Sequence, residues 1–210
     1  MWIYELPHAA HDRAAGTVIS KLHVQMGQHM NDFVSAASPR CDNNANNWSY
    51  EPDGSLTVRN IRPWPGHSDA ADQVGSRWPN IIVEVAYMES EPHVCAKAFE
   101  WLDTATDSNN GVQQVIVIKI GAGVRVNDNR TMMAWRYERG AAENPVQIIE
   151  FGNDGNDNGA IEAGIDGMQL HIPVASVYLP NEPPADLLGP LVLDLFYIRR
   201  VIERSYGMMG

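Results

Sequence analysis

The chain has 210 residues, of which 44% are hydrophobic, and this length suits one domain with a sizeable core, which we take to span residues 1–210. Its formal net charge of −11 disfavours a protein that coats nucleic acid, although metal ions held by carboxylates can invert the local field of an enzyme. No apolar run is long enough for a bilayer, and the N-terminus lacks the layout of a secretion signal, so we expect a soluble intracellular protein with no membrane partner. The two cysteines, Cys41 and Cys95, are too few for a disulfide framework or a CxxC zinc site.

The first third of the chain predicts a helix, a polar loop and a short strand. Residues 12–30 carry apolar side chains at helical spacing, and Asp12 can cap them. The Asn-rich stretch 38–54 indicates a loop, and "SLTVRNI", residues 55–61, alternates as a strand does. Residues 62–79 form a long Pro/Gly-rich connection, which is typical of a functional loop or an insertion.

The middle of the chain predicts a strand, a helix and a second strand. "NIIVEVAY", residues 80–87, is an apolar run, and Pro92 suits the first turn of a helix that ends near Thr104. The "DSNNG" segment breaks this helix, and "VQQVIVIKIG", residues 112–121, is apolar on both faces, as expected at the centre of a sheet.

The last third predicts further strands and a closing helix. Residues 131–139 and 145–152 indicate strands, residues 168–178 an extended piece, and residues 191–206 a helix with arginines on its polar side. The element order predicts an α/β domain with a mixed sheet and flanking helices.

Glu84 stands inside the apolar strand 80–87, where an unpaired charge would be costly to bury. Asp53 precedes the adjacent short strand, so two carboxylates on neighbouring strands can hold a hard cation such as Mg²⁺. Lys97, on the following helix, can orient or deprotonate an attacking water and offset the charge of a phosphate. A cation and a lysine together would neutralise Glu84.

The order of these pieces resembles the PD-(D/E)xK nuclease superfamily, and in particular its restriction-endonuclease-like proteins of Uma type, including fungal proteins of this pattern. The resemblance covers roughly residues 50–120 and rests on the following pieces: Pro52-Asp53, the run "PNIIVEV", Lys97 followed by Trp101, and Gly111-Val112 before the apolar strand. Asn80 stands where the family often has Asp, and Ala86 stands two residues after Glu84, where the simplest family pattern has Lys.

The resemblance implies a restriction-endonuclease-like core and a site that hydrolyses phosphodiester bonds in DNA with Mg²⁺ or Mn²⁺. Asp53 and Glu84 would be the metal ligands, and Lys97 the catalytic lysine. A residue of the first helix often completes such sites; the candidates here are Glu5, His8, His11 and Asp12, and we choose His11. Enzymes of this superfamily often act as dimers, so a homodimer is one state that the resemblance allows.

The sequence leaves several alternatives open. Lys119 ends the central strand and could reach the same cleft as Lys97, and Asp53 could be a turn residue of Pro-Asp-Gly. The acidic charge, Asn80 and the missing Glu-x-Lys favour a catalytically inactive protein of the same fold that acts as a binding module. Residues 154–159 match the first half of a calcium loop, but the closing Glu is missing, so we predict a hairpin turn.

Overall fold

The computed structural model describes residues 8–36, 41–43, 48–58, 78–87, 89–103, 111–121, 131–141, 144–151, 166–179 and 181–207. The helices within these residues are α1 His8–Gln25, α2 Glu91–Leu102, α3 Val174–Tyr178 and α4 Leu195–Gly207, with short 3-10 turns at Gly27–Asp32 and Asp166–Met168. None of the helices in these ranges combines the length and the apolar character that crossing a membrane requires.

Six of the described strands form one mixed sheet. Its spatial order is β1 Phe33–Ala36, β4 Gly54–Val58, β5 Ile81–Ala86, β6 Gln114–Ile120, β7 Met132–Glu138 and β8 Gln147–Glu150. The pair β5 and β6 is parallel, and α2 connects them, whereas the other neighbours are antiparallel. Two small antiparallel pairs complete the described strands: β2 Cys41–Asn43 with β3 Trp48–Tyr50, and β9 Gln169–Ile172 with β10 Leu191–Asp194.

Helices cover both faces of the large sheet, which confirms the predicted mixed α/β class. Helices α1 and α4 pack on one face, where alternate β5 residues such as Val83 and Val85 join the larger apolar core. Helix α2 packs on the other face with Ile82, Ala86 and Trp101. Because successive side chains of a strand point to opposite faces, Glu84 shares the α2 face with Ile82 and Ala86.

The predicted strands at 80–87 and 112–121 are confirmed as β5 and β6, which lie inside the sheet, and the predicted strands at 131–139 and 145–152 are confirmed as β7 and β8. The helix predicted at 12–30 begins earlier and ends at Gln25, since Gly27 takes a positive φ of 55° that stops helical pairing. The loop predicted at 38–54 contains the β2–β3 hairpin, and Gly54 already belongs to β4.

Two predictions near the C-terminus are correct only in part. The extended piece at 168–178 is a strand followed by a short helix, because Pro173 cannot donate to a ladder and has a φ of −59°, which suits a helix start. The helix predicted from residue 191 begins at Leu195, because Leu191–Asp194 pairs with β9 as a strand. Asp194 Oδ1 then accepts hydrogen bonds from the N–H groups of Phe196 and Tyr197, which caps α4.

Other predictions fall outside what the structure tests. The calcium-loop segment 154–159 and most of the long connection 62–79 lie outside the described residues. The extent of the single domain, 1–210, stays a prediction. Cys41 is buried, and Cys95 is half-buried, where its Sγ accepts a hydrogen bond from the Tyr137 hydroxyl at 2.9 Å.

Candidate functional site

Asp53 and Glu84 come together because β4 and β5 are antiparallel neighbours. The ladder ends with Gly54 opposite Val83, so continuing it by one residue places Asp53 opposite Glu84. Just before the start of β4, Asp53 Oδ2 accepts a hydrogen bond from the Val85 N–H at 2.6 Å. The carboxylate therefore takes the place of a backbone partner, and this bond fixes it beside the strand that carries Glu84.

Glu84 is a buried carboxylate with two side-chain donors. It is only 3% exposed. Lys97 Nζ lies 2.6 Å from its Oε2, and Trp101 Nε1 donates to its Oε1 at 2.6 Å. Lys97 and Trp101 are four residues apart on α2, so they lie on the same side of the helix, over the sheet. This arrangement explains how an apolar strand accommodates a carboxylate.

The electrostatic state of Glu84 follows from this environment. Burial raises its pKa to about 7, and the negative charge of Asp53 adds to the increase, while Lys97 and Trp101 oppose it. For Lys97, burial lowers the pKa, but the Glu84 carboxylate outweighs burial and the net pKa is raised. Lys97 is therefore a firmly held ammonium at neutral pH, and Glu84 is a carboxyl group that titrates near neutrality.

His11 extends the site on the other side of Asp53. Its Nε2 lies 3.2 Å from Asp53 Oδ2, and its Nδ1 lies 3.3 Å from Asp12 Oδ1. The hydrogen bond with Asp53 is the largest cause that raises the pKa of His11 to about 9, against the opposing effect of burial. His11 is therefore an imidazolium at neutral pH, so the site holds two carboxyl groups and two cationic side chains.

Water reaches the site from two sides. Asp53 lines a cavity of about 270 Å³ that also borders Gly16 and Ser20 of α1. Lys97 lines a different cavity, of about 280 Å³, beside Glu89 and His93. The side chains of Asp53 and Lys97 are 19% and 22% exposed. The side chain of Glu84, which lies between those two residues, is only 4% exposed. The two ends of the site thus face separate openings.

The donor set suits a hard divalent cation in part. Asp53 and Glu84 supply carboxylate oxygens, which Mg²⁺ prefers, and Mg²⁺ commonly takes one or two carboxylates plus water. Within the described ranges, no group of three or more His, Cys, Asp or Glu side chains is placed to hold a metal ion. An ion here would therefore depend on these two carboxylates and on water for its remaining ligands.

The structure brings together Asp53, Glu84, Lys97 and His11. Lys119 does not join them, because its Nζ donates to the Glu89 backbone carbonyl at 2.6 Å. Among the other first-helix candidates, Asp12 contacts His11, whereas Glu5 and the side chain of His8 lie outside the described residues.

Sequence reasoning missed two structural roles. The sequence pattern identified Trp101 only as an aromatic residue, yet its indole N–H donates to Glu84. A tryptophan, which carries a hydrogen-bond donor, one helical turn after a lysine could have indicated this role. Asn80 is fully buried, and its side-chain Nδ2 donates to the Leu179 carbonyl at 2.8 Å, while its backbone carbonyl accepts from the backbone N–H groups of Gln113 and Gln114. No local sequence signal indicates this second role.

Comparison with known proteins adds no relative. No protein-family model matches the chain, and a search of curated proteins finds no significant match.

Proposed function

We propose that the protein is a metal-dependent nuclease that hydrolyses phosphodiester bonds in DNA. The observation that carries the proposal is the pairing of Lys97 with the buried Glu84 next to Asp53. Burial and a neighbouring negative charge raise the pKa of a carboxyl group, and its ionisation inside the protein destabilises the fold. Perturbed carboxyl groups of this kind concentrate at functional sites, where a ligand compensates for their cost.

Asp53 and Glu84 are the residues that would hold Mg²⁺ or Mn²⁺. A divalent ion held by these residues would supply Lewis-acid polarisation of the scissile phosphate and would lower the pKa of bound water. Glu84 must be ionised to serve as a ligand, and its pKa of about 7 means that protons and metal compete for it near neutral pH. The site is therefore expected to bind metal more tightly as the pH rises.

Lys97 acts as a charged group in this proposal. Its raised pKa keeps it protonated at neutral pH, so it cannot accept a proton from water. An ammonium held at 2.6 Å from Glu84, with 22% of its side chain exposed, can instead orient the nucleophilic water and offset phosphate charge. We assign it that electrostatic role.

His11 acts as a proton donor or as a cation in the same proposal. While Asp53 has no metal bound, the pKa of His11 is about 9 and His11 carries a proton at neutral pH. A metal on Asp53 would lower that pKa and make His11 a stronger acid toward a leaving oxygen within reach. His11 also neutralises Asp53 while that carboxylate has no metal bound, which limits repulsion between Asp53 and Glu84.

Two observations favour the second candidate, a catalytically inactive protein of the same architecture that binds a partner. Each carboxylate already has a cationic partner, Lys97 on Glu84 and His11 on Asp53. The absence of a third acidic or His ligand among the described groups points the same way. Such a protein would keep the ion pairs and would not need metal.

A plasmid-nicking assay with Mg²⁺ tests the two candidates. We expect the native chain to convert supercoiled DNA to the nicked form, and we expect Glu84→Ala and the near-isosteric Glu84→Gln to lose this activity. Chelation of the metal by EDTA should stop the native reaction, and circular dichroism should show that both variants are folded. Equal nicking by native and variant chains would indicate a contaminant and overturn the proposal. No nicking by any of them would favour the binding protein.

A further inference from the structure

Helices α1 and α4 form a positively charged layer on an acidic protein. Their sequences contain five basic residues and two acidic ones, a formal net charge of +3 if histidines are neutral, whereas the whole chain carries −11. The basic residues are Arg13, Lys21, Arg199, Arg200 and Arg204, and the acidic ones are Asp12 and Glu203. Arg199 is buried and pairs with Glu203, so the exposed cations are Arg13, Lys21, Arg200 and Arg204. Exposed cations grouped on two helices of an acidic protein are the kind of electrostatic feature that attracts a polyanion.

A groove runs between the exposed sides of these two helices. Its volume is about 380 Å³, and we call it the α1–α4 groove, lined by Arg13, Gly16, Thr17, Ser20, Lys21, Val24 and Tyr197. Lys21 Nζ lies 3.7 Å from the centre of the Tyr197 ring, and Arg13 Nη1 lies 3.4 Å from Ser205 Oγ. The basic side chains of α1 are thus placed along α4.

The α1–α4 groove adjoins the cavity that contains Asp53. Gly16 and Ser20 line both. A Cβ atom at Gly16 would find nothing within 4 Å, so the absence of a side chain there leaves open space where the two cavities meet. The two cavities therefore meet at Gly16 and Ser20, with Arg13 and Lys21 lining one and the proposed metal ligand Asp53 lining the other.

We infer that the α1–α4 groove binds the backbone of one single-stranded segment of nucleic acid and leads it to Asp53. This inference rests on the proposed function for the identity of the ligand. Arg13 and Lys21 contact phosphates, and the hydroxyls of Thr17 and Ser20 suit phosphate oxygens. Tyr197 is 42% exposed, and a base would stack on the face of its ring that Lys21 does not cover, which is how sequence-independent single-strand sites hold bases.

Binding is measured with a short fluorescein-labelled single-stranded DNA, in EDTA so that no cleavage occurs, by fluorescence anisotropy at several salt concentrations. Lys21→Gln is expected to weaken binding several-fold and to reduce the salt slope by about 0.7, the value for one lost phosphate contact on a single strand. Leu188→Glu is the matched control, because it changes the net charge by the same amount at an exposed side chain outside the groove. Equal effects of the two variants would overturn the inference.

A steric pair tests the passage itself. Gly16→Leu fills the junction, whereas Gly16→Ala adds only a methyl group, and both changes favour the helix relative to glycine by up to about 1 kcal/mol. We expect Gly16→Leu to bind at least 10-fold more weakly and Gly16→Ala to bind as the native chain does. Full binding by a folded Gly16→Leu variant would contradict the inference.

A stacking pair tests Tyr197. Tyr197→Ala is expected to weaken binding by at least about 5-fold, and Tyr197→Phe to retain it, because stacking requires the ring and not the hydroxyl. Duplex DNA of the same sequence should bind more weakly than the single strand. Preference for the duplex, or indifference to loss of the ring, would overturn the single-strand inference.

The outcomes separate this inference from the proposed function. Mg²⁺-dependent cleavage of the same single-stranded DNA that survives in Gly16→Leu and Lys21→Gln would reject the groove and leave the nuclease standing. Single-strand binding that these variants lose, in a chain that never nicks DNA, would support the groove and reject the nuclease. Absence of both nicking and binding in the native chain would reject both.

Discussion

Lys97 Nζ lies 2.6 Å from Glu84 Oε2, although the lysine belongs to a helix and the glutamate to a strand in the interior of the sheet. The parallel pair β5 and β6 requires a crossover, and α2 supplies it, so the same connection that completes the sheet delivers the lysine to the carboxylate. The site is therefore a consequence of topology as much as of residue type.

The first prediction concerns the pH dependence of stability. The folded-state pKa of Glu84, about 7, exceeds its ordinary value of 4.5, so its contribution to the free energy of unfolding is fully present below about pH 4.5 and is lost as the pH rises through about 7. The loss amounts to about 3 kcal/mol. Glu84→Gln should remove this pH-dependent loss, and urea unfolding of both chains at several pH values will measure the difference.

His11 provides the control for that experiment. Its folded pKa of about 9 exceeds its ordinary 6.5, so its contribution has the same sign but is lost at a higher pH, as the pH rises through about 9. In His11→Gln, the free energy of unfolding should still depend on pH below neutrality, but its dependence on pH above neutrality should be weaker than in the native chain. A native chain whose stability increases between pH 5 and 7 would contradict the Glu84 environment described here.

The second prediction concerns the charge of His11. Asp53→Asn removes the main cause of the raised His11 pKa, so the pKa should fall from about 9 toward 6.5, as followed by NMR of the imidazole protons. Asp12→Asn is the matched control and should lower it less, because Asp12 is the weaker contributor. Mg²⁺ should lower the His11 pKa in the native chain as Asp53→Asn does, and an unchanged pKa would show that Asp53 binds no metal.

The sequence predicted the parts of the fold that local patterns encode. Continuous apolar runs mark the interior strands β5 and β6, and Lys97 and Trp101 stand one helical turn apart on the intervening helix. The convergence of Asp53, Glu84 and Lys97 follows from these elements, because adjacent strands and a crossover leave few other arrangements.

Long-range pairing could not be predicted in the same way. Leu191–Asp194 is a short apolar run that continues into α4, and only its partner β9 makes it a strand. The β2–β3 hairpin lies in a polar stretch whose composition indicates a loop. The role of Asn80 depends on the Leu179 carbonyl, which is remote in the chain, so residue type alone does not reveal it.

The third prediction concerns the indole donor on Glu84. Trp101→Phe keeps an aromatic ring at a fully buried position but removes the Nε1–H that bonds Oε1. The ionised form of Glu84 should lose roughly 1–3 kcal/mol of stabilisation, so its pKa should rise above the native value and the apparent metal affinity at neutral pH should fall. Carbon-detected NMR of the Glu84 carboxyl will follow the pKa, and calorimetry with Mg²⁺ the affinity.

Trp135→Phe is the matched control for Trp101→Phe. Trp135 is a buried tryptophan of the same apolar cluster, on β7. Its replacement should cost packing energy and leave the Glu84 pKa unchanged. An equal shift in both variants would show that general loosening of the cluster, and not the indole hydrogen bond, controls the carboxyl group.

The fourth prediction concerns Asn80, which stands where the nuclease superfamily that the sequence resembles often has Asp. Asn80→Asp replaces a donor to the Leu179 carbonyl with an acceptor in a fully buried position, so it should destabilise the fold by roughly 1–3 kcal/mol or more. It should not increase nicking, because Asn80 links β5 to the segment after α3 and is not among the clustered site residues. Increased metal-dependent nicking by Asn80→Asp would instead make it part of the site.

The last prediction separates the two candidate lysines. Lys97→Met removes the ammonium beside Glu84 and should reduce nicking by about 100-fold or more, as expected when a preorganised charge is lost from a site of phosphoryl chemistry. Lys119→Met keeps a similar stem and removes only the bond to the Glu89 carbonyl, so nicking should stay within about a factor of three of native. Loss of activity in Lys119→Met alone would transfer the catalytic role to Lys119. Lys97→Met should also raise the Glu84 pKa, because the lysine opposes the effect of burial, and this rise will confirm that the pair acts as one unit.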